Sequence, residues 1–454
     1  MSARRVVITG LGPITPIGCG AEPFWTALLE GRSGIQPIAA FDASGFDSRI
    51  GGEISQIKNV NDFVTKPYRK AGKIMARDIE LAVAAAHFAL MDAGLKTKCI
   101  LERGDAPGPS NIDSARFGAN IGAGLICADL PELAGALASA APEGTFDIKL
   151  WGVPEVEGGR TRMENLTPLW LLKFLPNMLA CHVTIVHDAQ GPSNTITCGE
   201  ASSHLAIGEA FRTIARGVAD VCICGGAESK ANPMALVRQS LGQRLSKRND
   251  DPARACRPFA SDRDGTATSE GGGLVILEEL EHAKARGARI YAELVGFGAS
   301  NDASSVGFPT KPHPEGRGVA TAIRKALRDA KINASDIDLI VPMACGTREH
   351  DASEARGLAA AFGSHLPSAS VMAINGGVGN NGAGTGAIDF IAAALAIKNQ
   401  TLAPSINAEP IDPSWNLNIK TRGPTDRRVN YAITTAYALG GGQNAALALK
   451  AWRE

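Results

Sequence analysis

A strand-like run, Gly191-Pro192-Ser193-Asn194-Thr195-Ile196, leads into a corner at Gly199-Glu200-Ala201-Ser202-Ser203, and a helical stretch from Leu205 to Arg216 follows. This is the layout of a nucleophile elbow. A side chain at such a corner projects from a helix N-terminus, where free amide donors and the positive dipole end favour a thiolate or another anion. Two glycine-rich stretches invite a different chemistry and fail it. Gly376 to Gly386 lacks the Gly-Lys-Ser/Thr ending that would set a lysine on a phosphate, and Gly10-Leu11-Gly12 is followed by Thr15 where a dinucleotide fingerprint needs its third glycine. Cys222 and Cys224 are separated by one residue in a core-like strand, which is not zinc-ligand spacing. No cofactor and no metal are expected.

The elements around the corner read as α/β layers. Strand-like Val6-Val7-Ile8, helix-like Arg77 to Ala93, strand-like Phe117 to Ile121, the helix after the corner, and strand-like Asp220 to Cys224 form a first series. Strand-like Gly272 to Leu277, helix-like Arg317 to Ala330, strand-like Asp338 to Pro342 and helices at Ala352 to Phe362 and Gly386 to Lys398 form a second. Two related halves, 1–265 and 266–454, are expected, although their direct similarity is too weak to establish a repeat. Between about residues 127 and 175 the periodicity fades into a Pro- and Gly-bearing segment, read as a cap over a site or partner surface.

A chain of 454 residues is long enough for two large cores, and 46 basic side chains balance 46 acidic ones. That balance gives no electrostatic reason to expect nucleic acid or membrane as a partner. No run approaches a membrane span, and the N-terminus enters a strand directly, so a cytoplasmic protein is expected. The nine cysteines are scattered, as buried thiols are, rather than arranged as a disulfide framework.

Several motifs in order carry a family resemblance over nearly the whole chain. They are Arg5 to Gly12, Gly191-Pro192-Ser193 with its corner, Ala206-Ile207-Gly208, Gly217-Val218-Ala219-Asp220, Gly225-Gly226-Ala227-Glu228, Leu245 to Pro252, Arg257-Pro258-Phe259 with Asp262 to Gly265, and Gly441 to Ala446. Together they resemble the β-ketoacyl-acyl carrier protein synthases of the elongating type. The resemblance implies a thiolase fold, two similar α/β halves in five layers (αβαβα) with a cap insertion. It also implies acyl carrier protein as a partner and a dimer, either of this chain with itself or with an active synthase.

The family's chemistry uses a cysteine thiolate to carry the acyl chain, two histidines to stabilise an enolate, and a supporting lysine. Alignment through the flanking motifs places Glu200 at the nucleophile position, with Cys198 two residues upstream. Ala344-Cys345-Gly346-Thr347, followed by Asp351 and Glu354, resembles the first histidine motif with Cys345 in the histidine's place. Asn375 and Asn380 stand where the lysine and second histidine belong, and Ala438-Leu439-Gly440 replaces the gating phenylalanine.

These replacements imply a divergent synthase homologue unable to condense, acting as a chain-length-factor-like or acyl-pocket-forming subunit in fatty-acid or polyketide-type biosynthesis. Two alternatives stand beside it: an acyltransferase or malonyl decarboxylase using Cys345 or Asn380, and a non-catalytic acyl-binding module. A neutral Glu200 would imitate the acylated state, and its charge cannot be read from sequence. His182, His187 and His350 read as core or loop residues, with His350 also a candidate to reach the pocket by a different loop path. A metal held by Glu200, Cys345, His204 and Asn380 is disfavoured, because asparagine is a poor transition-metal ligand and His204 lies about one turn into the helix.

Overall fold

The β-branched and small-residue runs become strands in the computed structural model, which describes residues 4–302 and 311–453. The first sheet is made of β1 (Val6–Thr15), β2 (Phe117–Ala123), β3 (Ser193–Ile196), β4 (Val221–Ser229) and β5 (Thr268–Glu279), in the order β3-β2-β4-β5-β1, so the strand at Gly272 to Leu277 joins the first series rather than the second. β2 pairs parallel with β3 and β4, whereas β5 pairs antiparallel with β4 and β1. The second series supplies β6 (Ala292–Asn301), β7 (Leu339–Val341), β8 (Ser370–Val371), β9 (Asn418–Ile419), β10 (Tyr431–Tyr437) and β11 (Gln443–Ala451), in the order β9-β8-β7-β10-β11-β6.

Leaving aside the outer β9, both sheets run parallel, parallel, antiparallel, antiparallel along the same path. The duplication that sequence similarity is too faint to establish is therefore plain in the strand order. β1 and β6 pair antiparallel, Val6 opposite Leu294, and join the two sheets edge to edge. β5 begins after residue 265, so its pairing places it with the first-half strands, on the far side of a division at 265/266.

Helices separate and cover the sheets. α1 (Arg77–Ala93) lies on the outer face of the first sheet, and α2 (Met178–His187) packs beside it. α3 (Ser202–Ala215) packs on β2 and β4; after α4 (Pro233–Leu241), α5 (Arg317–Ala330) covers β6 and β11, with α6 (Arg348–Phe362) against it. α7 (Thr385–Asn399) touches α3, β5 and β10, so α3 and α7 form the middle layer of five. Every residue of α7 from Thr385 to Ile397 is buried, as an all-round apolar helix between two sheets must be. Each fully buried Ile388, Phe390 or Ile391 contributes roughly 1.5–3 kcal/mol.

The Gly10-Leu11-Gly12 run has a packing role here. A Cβ on Gly12 would stand 2.2 Å from the Ala85 carbonyl oxygen, so the glycines let α1 lie directly on β1. The cap segment carries helices at Leu130–Ser139 and Ile148–Trp151, followed by single turns at Arg162–Asn165 and Trp170–Phe174. Among the described residues, no helix is long and apolar enough to cross a membrane.

Candidate active site

The corner forms because Gly199 takes a positive φ of 57°, and Ser202 Oγ accepts the Cys198 amide at 2.7 Å while donating to the Gly199 carbonyl at 2.6 Å. α3 starts immediately afterwards. Glu200 is thus delivered to the head of a helix with its side chain turned inward, only 3% exposed.

Three partners close around its carboxylate. Lys230 Nζ donates to Oε1 at 2.7 Å, Asn380 Nδ2 donates to the same oxygen at 3.3 Å, and the Leu439 amide donates to Oε2 at 2.9 Å. Lys230 stands just beyond the end of β4 and is 6% exposed. Burial alone would raise the Glu200 pKa, but the charge and hydrogen bond of Lys230, with the Leu439 amide, outweigh it and hold the carboxyl at about 2. Burial likewise works against the ammonium, and Glu200 and Glu228 reverse that effect, leaving Lys230 raised. The two shifts agree: this is a charged, buried pair. The neutral Glu200 that would mimic an acyl group is therefore not the state this environment favours.

Asn380 has little capacity left. Its Oδ1 accepts the Gly382 amide at 2.8 Å and faces Lys230 Nζ at 3.5 Å. Glu228, buried nearby, accepts the Ala383 amide at 2.7 Å. Its pKa is raised by burial despite the charge of Lys230.

A cavity of about 400 Å³ opens at this cluster, and Glu200, Glu228, Lys230, Arg238, Gln239 and Arg244 line it. These side chains share the wall with Ala123, Leu125, Pro176 and Ala235.

Cys345 and Asn375 do not line this cavity. Cys345 is 1% exposed, its sulfur 3.4 Å from Thr347 Oγ1 and 3.7 Å from both Asp351 Oδ1 and the Tyr437 hydroxyl. Burial and the Asp351 charge push this thiol well above its ordinary value, opposite to what a nucleophile needs. Asn375 donates to the Met343 carbonyl and to Asp389 Oδ1. Burial, with the Glu354 charge, keeps Asp389 well above the ordinary carboxylate range, and among the described residues no cation stands beside it. Of the four positions that the motifs single out, the structure brings Glu200 and Asn380 into contact and keeps the other two behind the wall.

The remaining candidates have structural partners. Cys198 lies on the strand side of the corner, half-buried, with its thiol raised by burial. His204 bonds Thr434 Oγ1 at 2.6 Å, His182 the Tyr68 hydroxyl at 2.7 Å and His187 Thr97 Oγ1 at 2.8 Å. His350 bonds Thr347 Oγ1 at 2.9 Å and the Leu439 carbonyl at 3.3 Å, so it touches the backbone that caps Glu200 but not Glu200 itself. Among the described residues, no three His, Cys, Asp or Glu side chains converge as metal ligands would.

Lys230 escaped the sequence reading. Its signal was available: a lysine two residues beyond Glu228, closing an otherwise apolar strand, has to find an acid or leave the core.

Comparison with known proteins agrees with the motifs. Residues 3–283 match the model of the β-ketoacyl synthase N-terminal domain and residues 291–409 that of the C-terminal domain. A 3-oxoacyl-[acyl-carrier-protein] synthase 2 from Synechocystis is 34% identical over 454 residues, covering 100% of this chain and 99% of the relative. One from Coxiella burnetii is 32% identical over 97% of both chains. Among solved structures, the ishigamide ketosynthase/chain length factor superposes with a TM-score of 0.82 at 29% identity over 100% of both chains. A type II polyketide acyl-carrier protein in complex with its ketosynthase, bound to the hexaketide, gives 0.82 at 26% identity, again covering 100% of both.

Proposed function

The chain belongs to the β-ketoacyl synthase family, and from that premise we propose that it is a member without condensing activity, acting as a chain-length-factor-like subunit in the cytoplasm. The observation that carries this reading is the closed Glu200–Lys230 pair at the elbow. A carboxylate there forms no thioester, and its negative charge opposes an enolate at the place where two donors ought to stabilise one. Asn380 is already committed to Glu200 and Gly382, which weighs against decarboxylation through it. Burial of Cys345 behind Tyr437 weighs against acyl transfer through that thiol.

A partner subunit is supported by surface chemistry. β3, next to the elbow, is an edge strand paired on one side only, and the cap exposes Ile148 (70%) and Val156 (68%). Apolar side chains that exposed are at home in an interface. A homodimer or a heterodimer with an active synthase, serving an acyl carrier protein, fits these features. The test is carbon dioxide release and chain extension from malonyl- and acyl-acyl carrier protein, with and without a co-expressed synthase. A change in product length on adding this chain supports the reading; efficient extension by this chain alone contradicts it.

A further inference from the structure

The chain as a whole is neutral, but its charges are unevenly spread. α5 exposes Arg317, Arg324, Lys325 and Arg328, and Lys331 follows at its C-terminal cap. Intervals of seven, four and three residues set Arg317, Arg324, Arg328 and Lys331 on one stripe of the helix. At about 1.5 Å per residue that stripe is roughly 20 Å long. α6 lies beside α5 and adds the exposed Arg356. Arg324 donates to the Ala360 carbonyl of α6 at 2.6 Å, and Arg356 to the Pro314 carbonyl ahead of α5 at 2.8 Å, so the cations cover a face two helices wide.

Among the described residues, no carboxylate pairs with any of these six cations. Asp329, the only acid of α5, turns away to Arg212 at 2.8 Å and accepts the Phe297 amide at 2.9 Å. Glu349 is taken by Lys311 at 2.6 Å, and Asp336 accepts the Asn333 amide at 2.8 Å. Glu315, just ahead of α5, makes no ion pair among the described residues. Lys325 finds the Ala299 carbonyl at 2.8 Å, but a carbonyl accepts a hydrogen bond without neutralising the charge. Arg324 and Arg328, Lys325 and Arg328, and Arg328 and Lys331 are like charges three or four residues apart, which weakens a helix. Arg317 stands at the positive end of the helix dipole, which opposes it. Folding alone gains nothing from this arrangement.

We propose that the face formed by α5 and α6 adsorbs to an anionic phospholipid surface, headgroup phosphates standing against its guanidinium and ammonium groups. The occupant follows from what the face lacks. Among the described residues, every large apolar side chain that is substantially exposed lies between Met91 and Leu241. This face therefore has no apolar centre of the kind a protein interface is built on. α5 and α6 contain no tyrosine or tryptophan, and their one phenylalanine, Phe362, is 2% exposed, so nucleic-acid bases would find nothing to stack on. A broad array of like charges remains, and an anionic bilayer presents its complement. Lys66, Arg69, Lys70 and Lys73 form another basic cluster, but their turn packs against the cap at Trp170–Phe174, where Leu169 and Leu171 are exposed. That mixed chemistry suits a protein partner. The inference is independent of whether the protein condenses acyl chains.

The test sediments the full-length protein with vesicles of phosphatidylcholine, alone or with about one-third phosphatidylglycerol. Binding is expected only to the anionic vesicles, weakening at least about tenfold between about 50 and about 300 mM salt. Arg317→Gln with Arg328→Gln and Lys331→Gln removes cations whose side chains make no hydrogen bond among the described residues. That triple variant should bind at least about thirtyfold more weakly, each charge near the surface counting for about fivefold. Lys66→Gln with Lys70→Gln and Lys73→Gln should leave binding within about twofold. No sedimentation with anionic vesicles, equal binding to neutral ones, binding undiminished by the first triple variant, or equal loss in the second would overturn the proposal. So would a short DNA duplex that displaces the protein from vesicles at equal phosphate concentration, which would assign the face to nucleic acid. Should the first triple variant fail to fold, Arg328→Gln alone, expected about fivefold weaker, decides it.

Discussion

Lys230 Nζ sits 2.7 Å from Glu200 Oε1 with both side chains withdrawn from water, so a charged pair occupies the corner that the motifs align with the family's nucleophile. A buried pair of this kind is weak evidence for net stability but strong evidence for mutual dependence. Removing one partner strands the other charge.

Lys230→Met is expected to destabilise the protein by about 3–5 kcal/mol, because Glu200 is left ionised and unpaired or must take up a proton. Glu200→Gln with Lys230→Met should recover most of that loss. Urea unfolding of the single and double variants measures the coupling; additive losses would argue against an ion pair.

The pair also fixes a pH signature. Glu200 has a folded pKa of about 2 against an ordinary 4.5. Its stabilisation is therefore fully present above about 4.5 and is lost as pH falls from there towards 2. Wild type should exceed Glu200→Gln in urea midpoint at pH 7, and the gap should shrink below pH 4.5. A gap that widens on acidification would contradict the assignment.

Glu200→Cys should place a thiol beside the Lys230 ammonium at the head of α3, both of which favour thiolate. Iodoacetamide is expected to alkylate it at least about tenfold faster than Cys345 in wild type. The variant should still fail to extend chains, because Cys345 and Asn380 supply no histidine pair. Restored extension from this single change would show that the other replacements do not matter.

Wild-type Cys345 should stay unmodified by acyl donors in intact mass spectra and react with iodoacetamide only on unfolding. Cys345→Ala should cost no more than about 1–2 kcal/mol, as loss of a small buried group does. An acyl adduct that disappears in Cys345→Ala would revive the acyltransferase alternative.

Much of this architecture was legible in the sequence because it is local. The period of apolar residues marked Arg77–Ala93 and Arg317–Ala330 at their full lengths, and the corner followed from glycine placement. What was not legible depends on long-range return of the chain. Lys230 meets Glu200 only because β4 ends beside the start of α3. Cys345 carries motif spacing, yet its direction is set by the strained φ of 38° at Ala344 and by Tyr437 from β10. The two halves share strand order rather than side chains, so pairing reveals a repeat that residue identity conceals.

The most direct measurement incubates the isolated wild-type protein with acyl- and malonyl-acyl carrier protein and weighs the carrier by mass spectrometry. The account predicts unchanged acyl carrier, with no 3-oxoacyl product above an enzyme-free control. Accumulation of carrier-bound 3-oxoacyl product at the rate of an intact synthase would contradict it.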